Sequence, residues 1–197
     1  MPSKDFSQAI LYFCRRLNPE EAPAKVAVIP EIDAKTGYCP QNVAAKIAQD
    51  GGEALSGWDI TWEEDFWIQA EAHMIWKSPT GQLLDITPRL SNESEILFVP
   101  KQGFWNGTQF IPNRRMTLED SLRSRAYFMY GKLRDKLKQE SWNGTVWTIT
   151  EDQEKELQAT VAKIVSRVPS WQKCPCNSGQ FFGKCCGRPK GRPWSNI

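Results

Sequence analysis

Gly37-Tyr38-Cys39-Pro40 leads into a helix-favouring run that stops at Gly51-Gly52, and two β-rich stretches follow: Glu71-Ala72-His73-Met74-Ile75-Trp76 and Leu83-Leu84-Asp85-Ile86-Thr87-Pro88. Proline at the first helical position and the paired glycines at the end delimit a helix over residues 40–50, with Val43 and Ile47 facing inward and Cys39 at its N-cap. Residues 54–62 and 66–76 are dense in aromatic and β-branched side chains and read as strands. Ser78-Pro79-Thr80-Gly81 reads as a turn that returns the chain into a strand over residues 83–87. This pattern predicts an α+β domain, a small antiparallel sheet with flanking helices.

Working outward, Phe6, Ile10, Phe13, Cys14 and Leu17 recur at helical spacing and predict a first helix over residues 5–17, stopped by Asn18-Pro19. Residues 95–100, 104–105 and 109–111 extend the sheet, with Asn106-Gly107 as a hairpin turn. Thr117, with Asp120 three positions on, opens a long amphipathic helix carrying Leu118, Leu122, Met129, Leu133 and Leu137. Residues 142–149 read as a further turn and strand, and Thr150 caps a last helix that Pro169 ends.

The chain has 197 residues, 40% hydrophobic and 24% charged, with a formal net charge of +2. These are values of a soluble globular protein, and no apolar run approaches the roughly 18 residues of a membrane helix. The amino terminus lacks a secretory layout, so a cytoplasmic location is expected, and the six cysteines should then be reduced. Charge is uneven. Lys173, Lys184, Arg188, Lys190 and Arg192 are five of the 25 basic residues and have no acidic neighbour after them, which leaves 20 basic against 23 acidic upstream. The expected organisation is a body over residues 1–170, a cysteine-rich module over 171–187 and a basic flexible tail over 188–197.

In the module, Cys174-Pro175-Cys176 and Cys185-Cys186 place four thiols within 13 positions. Four is the ligand number of a tetrahedral structural zinc site. So short a segment cannot bury a core, and metal coordination, worth roughly 10–16 kcal/mol in comparable peptides, would supply its folding free energy. Phe181 or Phe182 would cover the metal. The pattern Cys-x-Cys, eight residues, Cys-Cys and then Gly187, with Ser178-Gly179 and Phe182 between, resembles the SEC-C motif, the zinc-binding end of the bacterial protein-export motor. That resemblance implies Zn2+ held by Cys174, Cys176, Cys185 and Cys186, and a docking role toward a protein partner. Gly-Arg-Pro occurs twice from Gly187 to Pro193, the kind of basic hook that enters an A·T minor groove, so nucleic acid is a second conceivable partner.

His73 is the only histidine, which removes the multi-histidine catalytic zinc sites. A thiol chemistry needing one base remains: Cys39 as nucleophile, His73 as base, Asp85 as the group that orients the base. A helix N-terminus favours the thiolate, the form that attacks. On strands, Glu71, His73 and Ile75 share one face, and Asp85 shares parity with Leu83 and Thr87. A three-residue turn would pair Ile75 with Asp85 and leave His73 diagonal to the carboxylate; a five-residue turn would pair His73 with Asp85 directly. The competing reading makes Cys39 a small buried apolar residue, His73 a satisfied sheet residue and Asp85 a turn-stabilising acid. Asp59, Glu63, Glu64, Asp65 and Glu71 form an acidic run that reads as a solvated loop, or alternatively as a surface that attracts a cationic peptide or lysine side chain.

Cysteine at a helix start, a strand with His-x-x-Trp and a strand with Asp-x-Thr-Pro together resemble the core of the transglutaminase-like branch of papain-fold proteins, over residues 37–88. The resemblance implies the roles of nucleophile, base and orienter for Cys39, His73 and Asp85. It implies a thiol-dependent hydrolase or acyltransferase acting on a protein or peptide substrate. The stretch from Gly57-Trp58 to Pro88 is also similar to uncharacterised bacterial and phage-type proteins that carry SEC-C tails. The alternative expectation is a non-catalytic adaptor whose zinc end docks on a protein, ribosome or nucleic acid.

Overall fold

In the computed structural model, which describes residues 7–91, 93–119, 122–165, 169–174 and 179–185, the chain is a mixed α+β protein whose sheet closes into a small barrel. Helix α1 (Gln8–Leu17) begins under Ser7, whose hydroxyl accepts a hydrogen bond from the Ile10 amide, and buries Ile10, Phe13, Cys14 and Leu17. Then come strand β1 (Ala24–Val28), helix α2 (Cys39–Asp50) and strands β2 (Glu53–Glu63), β3 (Trp67–Lys77), β4 (Leu83–Asp85), β5 (Glu95–Pro100) and β6 (Arg114–Thr117). Helices α3 (Leu122–Glu140) and α4 (Glu151–Val165) follow.

The strand order is β2-β5-β1-β4-β3-β6, and β2 also pairs with β3 along its whole length, from Glu53 opposite Lys77 to Glu63 opposite Trp67. That pairing joins β2, β5, β1, β4 and β3 into a ring, which removes the open edges a flat sheet would present. β1 and β4 run parallel, Ala27 opposite Leu84, so the sheet is not wholly antiparallel as the sequence led us to expect. Val26, Ile75, Ile96 and Phe98 form one buried apolar cluster on the ring's inner face. On the outer faces, α1 covers Trp58, Ile60, Ile68 and Ala70, and α2 covers Met74, Trp76 and Ile86 through Cys39 and Val43.

One interruption positions the site. The edge of β3 that faces away from β2 pairs with β6 at residues 67–70 and with β4 at residues 76–77, leaving residues 71–75 with no strand beside them there. His73 lies in this gap.

α3 and α4 share a second cluster, Met129, Leu157 and Val161, into which Cys174, Phe182 and Cys185 also pack. Arg115 of β6 ties α3 to the sheet through Asp135, at 2.5 and 3.0 Å, and Lys138 reaches Glu71 of β3 at 3.3 Å. Thr150 caps α4 as expected, and its bond is reciprocal: the Gln153 amide donates to Thr150 Oγ1 and the Thr150 amide donates to Gln153 Oε1.

Several sequence expectations are corrected. Cys39 is the first residue of α2, and Tyr38 is the N-cap. Thr117 closes a strand instead of opening a helix; the stretch Arg114 to Thr117 pairs with β3 because Trp67 to Ala70 need an edge partner. Residues 104–105, 109–111 and 142–149 form irregular loops, with the Trp105 indole N–H donating to the Gln109 carbonyl instead of the chain joining a ladder. No helix among the described residues is long and apolar enough to cross a membrane.

Candidate active site

Three elements bring Cys39, His73 and Asp85 together. α2 is fixed at its start by Asn42, whose side chain accepts from the Lys35 amide at 3.0 Å and donates to the Lys35 carbonyl at 2.9 Å and to Thr87 Oγ1 at 3.1 Å. At the other end the Trp76 indole donates to the Gly51 carbonyl at 2.9 Å. The helix that carries Cys39 is therefore tied to the strands that carry His73 and Asp85.

Of the two registers the sequence allows, the three-residue turn forms: the Ser78 amide donates to the Gln82 carbonyl, and Trp76 pairs with Leu84. One step further Ile75 faces Asp85, so His73 is diagonal to it, and its Nε2 lies 3.1 Å from Asp85 Oδ1. The approach is close but poorly aligned, and Nε2 has no well-directed hydrogen bond. Such contacts commonly tighten only when substrate is bound. Asp85 is fully buried. Its Oδ1 also accepts from the Thr87 amide at 3.1 Å, and its Oδ2 accepts from Arg89 Nε at 3.0 Å.

The electrostatics follow from these contacts. Burial favours neutral His73, but the sulfur of Cys39 and the Asp85 carboxylate outweigh it and hold the imidazole pKa well above its ordinary value. Burial also opposes ionisation of Asp85, yet His73, Arg89 and the Thr87 amide hold its carboxyl below the usual range. Cys14 shows the opposite environment: burial pushes its thiol up to about 12, fitting the structural role its place on α1 implies.

Cys39 is 7% exposed and His73 13% exposed at the side chain, and both line a cleft of about 750 Å3. Its far walls are Trp105, Phe110, Trp142 and Trp147. The indole N–H groups of Trp105 and Trp142 are used on the Gln109 and Thr108 carbonyls, which leaves their rings as apolar surface. Trp147 is held by Lys138, 4.1 Å from its ring centre, and by Arg134.

Sequence reading missed Arg89, which donates to both Asp85 and Asp59, the latter at 2.8 Å. Its place four residues after Asp85 was the available signal. Within the acidic run, Asp59 is paired with Arg89 and Glu71 with Lys138, whereas Glu63, Glu64 and Asp65 are exposed at the turn between β2 and β3.

In the module, the Lys173–Phe181 bridge closes a small loop, the Cys174 amide donates to the Gln180 carbonyl, and Phe182 to Lys184 form a short 3-10 turn. Cys174 and Cys185 are buried in one cluster with Phe182, and Lys132 Nζ approaches Cys185 Sγ at 3.3 Å. Two thiols are half of the donor set a tetrahedral thiolate site needs, and among the described residues no group of three or more metal-ligating side chains occurs. Cys176, Cys186 and the basic tail lie outside the described residues. Comparison of the chain with protein-family models, with curated proteins and with solved structures finds no match.

Proposed function

We propose that the chain is a thiol-dependent hydrolase or acyltransferase that acts on a peptide or side-chain amide in the cytoplasm. The observation that carries this reading is the meeting of Cys39, His73 and Asp85 at one cleft, with His73 set between a sulfur and a carboxylate. Cys39 Sγ attacks the amide carbonyl carbon and forms a C–S bond, while the His73 imidazolium gives its proton to the amine nitrogen as the C–N bond breaks. His73, now neutral, then takes a proton from water or from an amine that attacks the thioester, and the C–S bond breaks. Asp85 holds the imidazole orientation and stabilises its charged form. In family terms this is a transglutaminase-like or papain-like core.

Cys174, Cys176, Cys185 and Cys186 would hold a structural zinc ion in this reading, supplying folding free energy to a module too small for its own core. Exposed Trp171 and Phe181 on that module favour docking on a protein partner.

The test is peptide-resolved alkylation of the full chain by iodoacetamide across pH. Near pH 6, where an ordinary thiol is almost wholly protonated, Cys39 should keep much of the labelling rate it shows near pH ~8.5, and His73→Ala should abolish that retention. A Cys39 rate that falls between those pH values as an ordinary thiol's does overturns the enzyme reading and leaves the non-catalytic adaptor.

A further inference from the structure

His73 has carboxylates on both sides. Across the β2–β3 ladder it faces Gly57, so Asp59, two residues on, is diagonal to it on the same face; across the β3–β4 ladder Asp85 is diagonal in the same way. Asp59 is 9% exposed, lines the same cleft, and interacts electrostatically with His73. One of its oxygens, Oδ2, accepts from Arg89 Nη2 at 2.8 Å; the other, Oδ1, is buried with no hydrogen-bond partner. His73 Nε2 is likewise buried without an aligned acceptor. Both residues line the one cleft, each with a buried polar atom that is costly to leave unpaired.

Arg89 spans both acids, with Nη2 2.9 Å from Asp85 Oδ2 and 2.8 Å from Asp59 Oδ2. Its fixed fork can hold two carboxylates at once, which a lysine ammonium on a flexible stem does less well. A single cation shared by two acids leaves one negative charge over, and His73 is the nearest group able to balance it.

We propose that Asp59 and Arg89 are positioning residues for His73: Arg89 clamps the Asp59 and Asp85 carboxylates on either side of the imidazole, and Asp59 stabilises the imidazolium through space. The inference rests on the role proposed for His73. Through this bracket the imidazolium is stabilised by two carboxylates, so protonating Asp59 weakens the thiolate–imidazolium pair. Burial already moves the Asp59 carboxyl above its ordinary range, against the pull of His73 and Arg89, so that its titration falls closer to neutral pH. The charged and titratable groups around the bracket are Cys39 from α2, Glu71 from β3 with its partner Lys138 from α3, Asp85 from β4, and Arg89 from the loop after β4.

Since His73 is the only histidine, its ring-proton NMR signal reports the bracket without assignment ambiguity. The measurement is its titration in the full chain, unchanged, with Asp59→Asn and with Arg89→Gln. Asp59→Asn should lower the imidazole midpoint by on the order of one pH unit, and Arg89→Gln should raise it, because one removes a negative charge and the other a positive one. A purely structural role would not give shifts of opposite sign. The unchanged protein supplies a readout that needs no variant: a second, smaller inflection of the His73 signal at the pH where Asp59 titrates. Absence of that inflection, or a midpoint indifferent to Asp59→Asn in a folded variant, overturns the proposal. Repeating the titration in Cys39→Ser separates the two ideas, since the bracket should still move His73 there even if Cys39 proves unreactive.

Discussion

Gly57 stands directly across the β2–β3 ladder from His73, and a Cβ on it would collide with the Phe98 ring and lie 2.5 Å from the Val99 carbonyl oxygen. The missing side chain lets Phe98 fill the barrel beneath the imidazole. Gly57→Ala is therefore expected to cost about 1–3 kcal/mol, the usual range for overpacking. Phe98→Leu should relieve only part of it, because the second clash is with backbone. Urea denaturation midpoints of the two single variants and the double variant check this; a Gly57→Ala protein of unchanged stability would contradict the packing.

Stability should depend on pH through His73 and Asp85. The His73 pKa is raised on folding, so its contribution is fully present below the unfolded value of about 6.5 and is lost as pH rises through the folded value. Asp85 is lowered, so its contribution is present above about 3.9 and is lost as pH falls through its folded value. Urea midpoints against pH should hence decline on the alkaline side above about 6.5, and His73→Gln should flatten that decline. The acid decline should persist in reduced form, since Arg89 and the Thr87 amide still hold Asp85.

Much of this site is local in sequence, which is why it could be read there. The helix over residues 39–50, the turn at 78–81 and the alternation that puts His73 and Asp85 on one face of the sheet are all set by near neighbours. Barrel closure is not local. β1 is five residues long, and its parallel partner β4 lies more than fifty residues away, so neither announces the other. β6, Arg114-Arg115-Met116-Thr117, shows no strand alternation in the sequence because its buried residue is an arginine, made tolerable by an aspartate on a helix formed later in the chain. The aromatic residues at 104–105 and 109–111 carry strand propensity, but no open sheet edge takes them, and they line the cleft instead. Arg89, half-buried between two acids, likewise leaves no hydrophobic periodicity to read, only its spacing from Asp85.

Arg115 and Asp135 form a bidentate pair with both side chains nearly inaccessible, and Gly131 gives the guanidinium room to lie against α3. Removing one partner strands the other charge, so Arg115→Ala should destabilise by about 3–5 kcal/mol. Replacing both, as Arg115→Met with Asp135→Leu, should cost clearly less than the sum of the single variants. Denaturation of the double-mutant cycle measures this, and additive losses would contradict strong coupling.

The zinc proposal predicts about one zinc ion per purified chain, lost in Cys176→Ser with Cys185→Ser. Because Cys174, Cys185 and Phe182 share a cluster with Met129, Leu157 and Val161, chelation should also loosen the α3–α4 pair. Hydrogen exchange should rise there while the barrel strands stay protected. Unchanged metal content in the double variant would remove the proposal.

Gly107 couples a loop to the reactive end of α2. It has a φ of +83°, and a Cβ there would meet Cβ and Cγ of Pro40 at 2.5 Å. Pro40 is a rigid ring next to Cys39, so the helix start or the loop must move. Gly107→Ala should thus slow iodoacetamide labelling of Cys39 as well as lowering stability. Gly103, in the same loop with a φ of +75°, has nothing within 4 Å of the position an alanine methyl would occupy. Gly103→Ala should accordingly show only the backbone cost of a left-handed residue, about 1–2 kcal/mol, and leave the labelling rate unchanged. Equal labelling rates in the two variants would show that the Gly107–Pro40 contact does not position Cys39.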